Sequence, residues 1–221
     1  MVLGQLMTHA GCGACRGSGG VHNPVRVFTQ YQSADAISAV AYEGADPGED
    51  PRWRDSGAAS RAEYAYWCRH ACGMACLQMA LHHRDGHTPP LLRLLHECAA
   101  AGGYLRRPDG SVHGLIYQPF AHYARDAHGI GAQVHRSLTT GELRAELRRG
   151  HLVMASVHPE IRRPHRPAPG KGGHLVLVIG YDGQGLHFRN PSGHTPAARY
   201  AVLPEPEFER FFAGRGVGLR L

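Results

Sequence analysis

The stretch that most constrains this chain is Tyr66-Trp67-Cys68-Arg69-His70-Ala71-Cys72-Gly73-Met74-Ala75-Cys76-Leu77-Gln78-Met79-Ala80-Leu81. Its second half reads as an apolar helix, with Cys72 at the helix start and Gly73 directly behind it. The unpaired N–H groups of a first helical turn favour negative charge, and therefore thiolate over thiol. A second stretch, Gly172-Gly173-His174-Leu175-Val176-Leu177-Val178-Ile179-Gly180-Tyr181, places a histidine at the opening of a short apolar strand. A third, Phe188-Arg189-Asn190-Pro191, brings an amide side chain 16 residues after that histidine. Strand, turn and returning strand fit into that interval, so a hairpin can set Asn190 beside His174.

A thiolate that attacks a carbonyl needs a proton acceptor, a group that orients the acceptor, and donors for the oxyanion. His174 fits the acceptor, Asn190 the orienting amide, and the backbone N–H of Cys72 the first oxyanion donor. Cysteine at a helix start, histidine on a strand and a downstream Asn are the parts of a papain-like thiol enzyme. Each part also has a plainer reading. Free cysteine packs well, so Cys72 alone reads as a core residue; His174 alone reads as a sheet residue. Their order along the chain favours the catalytic reading.

Together these segments resemble the bacterial papain-like cysteine peptidases typified by bacteriocin-processing peptidases, which cut leader peptides after double glycine. Cys72-Gly73-Met74-Ala75-Cys76-Leu77-Gln78-Met79 matches the Cys-Gly-x-x-Ser/Cys-Leu-x-Met helix start of that family. His174 follows small residues, and Asn190 precedes a proline, as the family's histidine and acid or amide do. The resemblance covers about residues 25–35 and 70–200. It implies an α+β, papain-like fold with N-terminal helices on an antiparallel sheet and the active site in the cleft between them. The family usually carries an oxyanion Gln a few residues before the cysteine, where this chain has Tyr66 and Trp67. Val25-Arg26-Val27-Phe28-Thr29-Gln30 resembles the extended segment of a broader branch, which nominates Gln30; Gln32, Trp67 and His70 are further candidates. No transporter is joined to this sequence, so the resemblance does not carry the double-glycine substrate over.

Composition bounds the rest. The 221 residues are 43% hydrophobic and 19% charged, enough for one domain with a full core. No apolar run approaches the roughly 20 residues of a membrane helix, and the N-terminus lacks a basic-then-apolar secretory pattern. The expectation is a cytoplasmic protein with no membrane partner. The formal net charge of +6 rests almost entirely on arginine, since Lys171 is the only lysine; that bias points to a GC-rich bacterial source. The arginines are scattered without interleaved aromatics, which argues against nucleic acid.

Residues 1–22 read as a disordered Gly-rich tail and 23–221 as a single catalytic domain. Cys12 and Cys15 form a lone C-x-x-C inside that tail, which is redox-active, half a zinc site, or plain disorder. Cys68, Cys72 and Cys76 repeat as C-x3-C-x3-C, a poor match to zinc or iron–sulfur spacing. The helices and strands expected here run from a strand at 25–28 through helices to a meandering sheet ending at 217–221.

The reading is a thiol hydrolase, a peptidase or amidase acting on a peptide or amide-bearing substrate, needing no cofactor and no metal. The same parts serve an acyltransferase or amide-forming enzyme of natural-product assembly. A third reading is a binding module, with a dead site or a metal. Nothing in the sequence bears on oligomeric state.

Overall fold

The structure, a computed structural model, describes residues 20–221. Cys12 and Cys15 lie outside the described residues. Pairing begins earlier than the expected tail boundary: Val21–His22 form β1 and join the sheet opposite Tyr181 and Gly180.

A short 3-10 turn leads into α1, Ile37–Tyr42. The Gly-, Asp- and Pro-rich loop after it is held by Asp50, which accepts from the Ser33 backbone, the Ser33 hydroxyl and the Tyr64 hydroxyl. Helix α2, Arg61–Cys68, is capped by Ser60, whose side chain accepts from the Glu63 N–H. Helix α3, Cys72–Asp85, ends at Gly86 in the left-handed conformation. It is buried without a break from Gly73 to Leu81, because the sheet lies on one side and α4, Leu91–Ala100, on the other. A small hairpin of β2, Leu105–Arg106, and β3, Val112–His113, precedes α5, Tyr117–His128.

The second half supplies most of the sheet: β4, Gly131–His135; α6, Thr140–Arg148; β5, Leu152–Val157; β6, His174–Asp182; and β7, Gly185–Arg189. It closes with α7, Pro196–Arg199; β8, Tyr200–Leu203; α8, Glu205–Glu209; and β9, Phe212–Arg220. Thr139 and Glu142 form a reciprocal capping box that fixes the start of α6. The antiparallel strands run in the order β4-β9-β5-β6-β7-β8, with β1 on β6. One sheet face, carrying Met154, Leu175, Leu177, Ile179, Val217 and Leu219, packs on α3 and its neighbours. The other, carrying Val153, Val176, Val178 and Phe188, packs with residues of α6 and α8.

The architecture is α+β with helices on an antiparallel sheet, as expected, but two expectations change. Residues 25–28 are not a strand; the segment is pinned instead by Arg189 Nε, which donates to the Val25 carbonyl at 2.7 Å. The sheet is not a meander, because β9 inserts between β4 and β5. Its glycines hide it from a composition-based reading. They also permit it: a Cβ on Gly216 would overlap the Met154 carbonyl oxygen of β5.

Candidate active site

Cys72 is the first residue of α3, so its own N–H and that of Gly73 lack intrahelical acceptors. The turn before it is set by Ala71 N–H donating to the Cys68 carbonyl. Gly73 is required by packing. A Cβ there would stand 2.7 Å from Leu115 Cδ2 and 3.3 Å from Leu175 Cδ1, so its absence lets the loop before α5 close against the helix start.

His174 opens β6 opposite Val157 of β5. Gly172 and Gly173 ahead of it sit at φ +82° and +93°, a region closed to most side chains, so the chain can turn sharply into the strand. The β6–β7 hairpin returns Asn190 to the histidine. His174 Nε2 lies 2.9 Å from Asn190 Oδ1 and 3.0 Å from Ser192 Oγ. An amide oxygen only accepts, so Nε2 carries the proton and Nδ1 is left as the basic nitrogen. Asn190 Oδ1 is itself fixed by the Ser192 backbone N–H at 3.0 Å. Ser192 is a positioning residue that the sequence reading missed; its place two residues after the amide, in a Pro-Ser-Gly turn, was the available signal.

Burial decides the protonation of this pair. The surrounding protein presses the His174 pKa down to about 4; the Asn190 bond works the other way, while the charges of Arg162 and His158 add to the lowering. Burial also raises the Cys72 thiol pKa, against the pull of the Leu175, Gly73 and Cys72 N–H groups. The helix start does favour the thiolate, as expected, but desolvation outweighs it. The two residues, which line one cleft, are therefore a neutral thiol and a neutral imidazole at rest.

Cys72 and His174 line one cleft of about 590 Å³, together with His70, Leu115, Ser156 and Leu175 among others. Gln30 and Asn190 are not on its wall. Gln30 is buried behind the turn that precedes Cys72: its amide nitrogen donates to the Cys68 carbonyl at 2.9 Å and, more weakly, to that of Arg69 at 3.4 Å. Its own N–H donates to the Pro191 carbonyl at 2.9 Å, tying the Gln30 segment to the Asn190 turn. Of the other candidates, His70 lines the cleft, the Gln32 backbone donates to the Tyr64 hydroxyl, and Trp67 packs edge-on to Tyr66 and Tyr104. Cys68 and Cys76 are buried free thiols, and among the described residues no three His, Cys, Asp or Glu side chains converge as a metal site. No helix among the described residues is long and apolar enough to cross a membrane.

No protein-family profile and no curated protein matches the chain. Among solved structures it is similar to a double glycine motif protease from an AMS/PCAT transporter, in complex with its leader peptide. The identity is 15%, covering 91% of this chain and 95% of that one, with a TM-score of 0.50. A putative C39-like peptidase from Bacillus anthracis aligns at 17% identity over 69% of this chain and 89% of that one, TM-score 0.49. The peptidase domain of Streptococcus ComA, a bifunctional ABC transporter of a quorum-sensing pathway, aligns at 14% identity over 68% and 90%, TM-score 0.47. At 15% identity the first of these likenesses speaks to architecture alone: the chain has the papain-like fold of the double-glycine peptidases.

Proposed function

We propose that the protein is a cysteine peptidase or amidase that cleaves a peptide or amide bond through an acyl-enzyme on Cys72. The observation that carries this reading is the 2.9 Å contact from Asn190 Oδ1 to His174 Nε2, which frees Nδ1 in a cleft shared with the Cys72 thiol. Because both groups are neutral at rest, His174 acts as a general base during attack. Nδ1 takes the thiol proton as Sγ bonds to the carbonyl carbon. The proton then passes to the amine nitrogen as the C–N bond breaks. Water attacks the thioester, His174 takes its proton, and the carboxylic acid leaves as the thiol is restored.

The Cys72 N–H is the first oxyanion donor. Gln30, nominated as the second donor, lies off the cleft wall and spends its amide N–H groups on the Cys68 and Arg69 carbonyls, so it positions the turn that presents the Cys72 N–H; of the nominated side chains, His70 lines the cleft. The bacterial setting and a cytoplasmic site of action accompany this reading.

The test is hydrolysis of a peptide library by wild type and by Cys72→Ala and His174→Ala, with mass spectrometry to catch an acyl adduct on Cys72. Cleavage lost in both variants and a trapped adduct on Cys72 are expected. Cleavage that survives Cys72→Ala overturns the reading. An added amine that captures the acyl group in preference to water would move the activity to acyl transfer.

A further inference from the structure

The cleft beside Cys72 is lined by three arginines, Arg69, Arg136 and Arg215, and by no Asp or Glu among the described residues. All three are exposed at the cleft mouth. Positions 134 and 136 share one face of the β4 register, and 215 and 217 share one face of β9. Val217 on that face belongs to the core under α3, and Val134 borders the cleft. The apolar face of the sheet thus ends in arginine where it emerges beside the thiol.

Arg136 and Arg215 also enter the cleft from neighbouring strands. The β4–β9 ladder ends at His135 opposite Gly216, and Arg136 and Arg215 are the residues that follow that last pair on the two chains. Like charges that share one cleft repel. No carboxylate relieves them: none of the three arginines forms an ion pair with a described residue, and the sequence before Gly20 contains no Asp or Glu.

Arg215 is aimed by packing. A Cβ on Gly172 would sit 2.9 Å from Arg215 Nη2 and 3.3 Å from Ser156 Oγ, so the guanidinium lies against the backbone two residues before His174. Ser156 stands opposite Leu175 in the β5–β6 register, and both line the cleft. A bare glycine therefore seats the guanidinium in the cleft that Cys72 and His174 line, with the Ser156 hydroxyl against the same glycine. This is the donor set that recognises a carboxylate.

We propose that Arg215 and Arg136, with Arg69 on the helix side, form a carboxylate-binding subsite, and that the amide bonds cleaved at Cys72 lie within a few residues of an anionic group. The substrate class rests on the hydrolase reading; the subsite itself does not. The carboxylate belongs to an acidic side chain or to a free C-terminus.

Two reagents of similar size test the subsite without a substrate. Cys72 is alkylated in alkaline buffer with iodoacetate, an anion, and with iodoacetamide, which is neutral. The ratio of the two rates is compared with that of N-acetylcysteine amide. A cationic subsite raises the ratio at Cys72 by about tenfold or more at low salt, and added salt lowers it. Arg136→Ala with Arg215→Ala brings it back to the free-thiol value. A wild-type ratio equal to that of the free thiol, or one unchanged in the double variant, overturns the subsite. Peptides carrying Glu or Gln at each position, with free or amidated C-termini, then separate the sources. Preference for Glu assigns a side chain, and preference for the free terminus assigns the chain end. If no peptide is cleaved while the alkylation ratio holds, the hydrolase reading fails and the subsite stands.

Discussion

His174 Nε2 and Asn190 Oδ1 meet at 2.9 Å, with Ser192 Oγ 3.0 Å from the same nitrogen. One amide oxygen thus selects the tautomer, while the serine holds both partners. Replacing Asn190 with Ala leaves Ser192 as the ring's one remaining partner at Nε2, so the imidazole is less firmly oriented. The expected result is a fall in kcat of about a hundredfold, the scale of an ångström-sized misplacement, with KM little changed. Ser192→Ala keeps the main bond and should cost less. Equal losses in the two variants would reverse the roles assigned here.

The protonation of the pair sets the pH profile. His174 must be neutral to accept the thiol proton, and its pKa lies at about 4. The acid limb of kcat/KM is therefore expected near pH 4 rather than near the ordinary histidine value of about 6.5. The Cys72 thiol is raised by burial, so iodoacetamide should modify it with an apparent pKa above that of an ordinary thiol. Rapid alkylation at neutral pH that depends on His174 would instead mean a resting thiolate–imidazolium pair.

The same shift is a stability statement. Between about pH 6.5 and about pH 4 the unfolded chain binds a proton at His174 that the folded chain refuses. Stability from this group is therefore present above pH 6.5 and is lost as pH falls toward 4, by about 3 kcal/mol in all. Urea unfolding of wild type and His174→Gln across this window should show the steeper loss in wild type. Burial also lowers the pKa of His70, His128 and His194, but these are common to both proteins and drop out of the comparison. Parallel curves would contradict the burial account.

Much of the candidate site was legible because its parts sit at element boundaries, where sequence speaks clearly. Cys72 precedes an uninterrupted apolar run, His174 follows two glycines, and Asn190 precedes a proline at the end of a hairpin. Gln30 was reachable only through a resemblance, since 38 residues separate it from the Cys68 carbonyl it binds. Ser192 was missed because a serine in a turn is ordinary. The arginines of the cleft were visible only as scattered charge, because the fold brings Arg69, Arg136 and Arg215 to one cleft from distant parts of the chain.

The strand β9 was half read for a related reason. Phe212–Arg220 carries Gly214, Gly216 and Gly218, and glycine lowers strand propensity. What keeps it in the sheet is room for a close neighbour. At Gly216 an added Cβ would overlap the Met154 carbonyl oxygen, a backbone atom of the adjoining strand that cannot swing away. At Gly110 an added Cβ meets nothing within 4 Å, and the only penalty is the positive φ of 81°. Gly110→Ala should therefore cost about 1–2 kcal/mol, the price of a left-handed residue. Gly216→Ala must part β9 from β5 at the centre of the sheet and should cost more, at or beyond the roughly 3 kcal/mol upper range of core overpacking. Both variants can be compared by urea unfolding. Because β9 also carries Arg215, the strand shift in Gly216→Ala should lower the iodoacetate-to-iodoacetamide ratio at Cys72 in the protein that remains folded. Gly110→Ala should leave that ratio unchanged. A Gly216→Ala protein as stable as Gly110→Ala would mean that the close approach of β9 to β5 is not what requires glycine there.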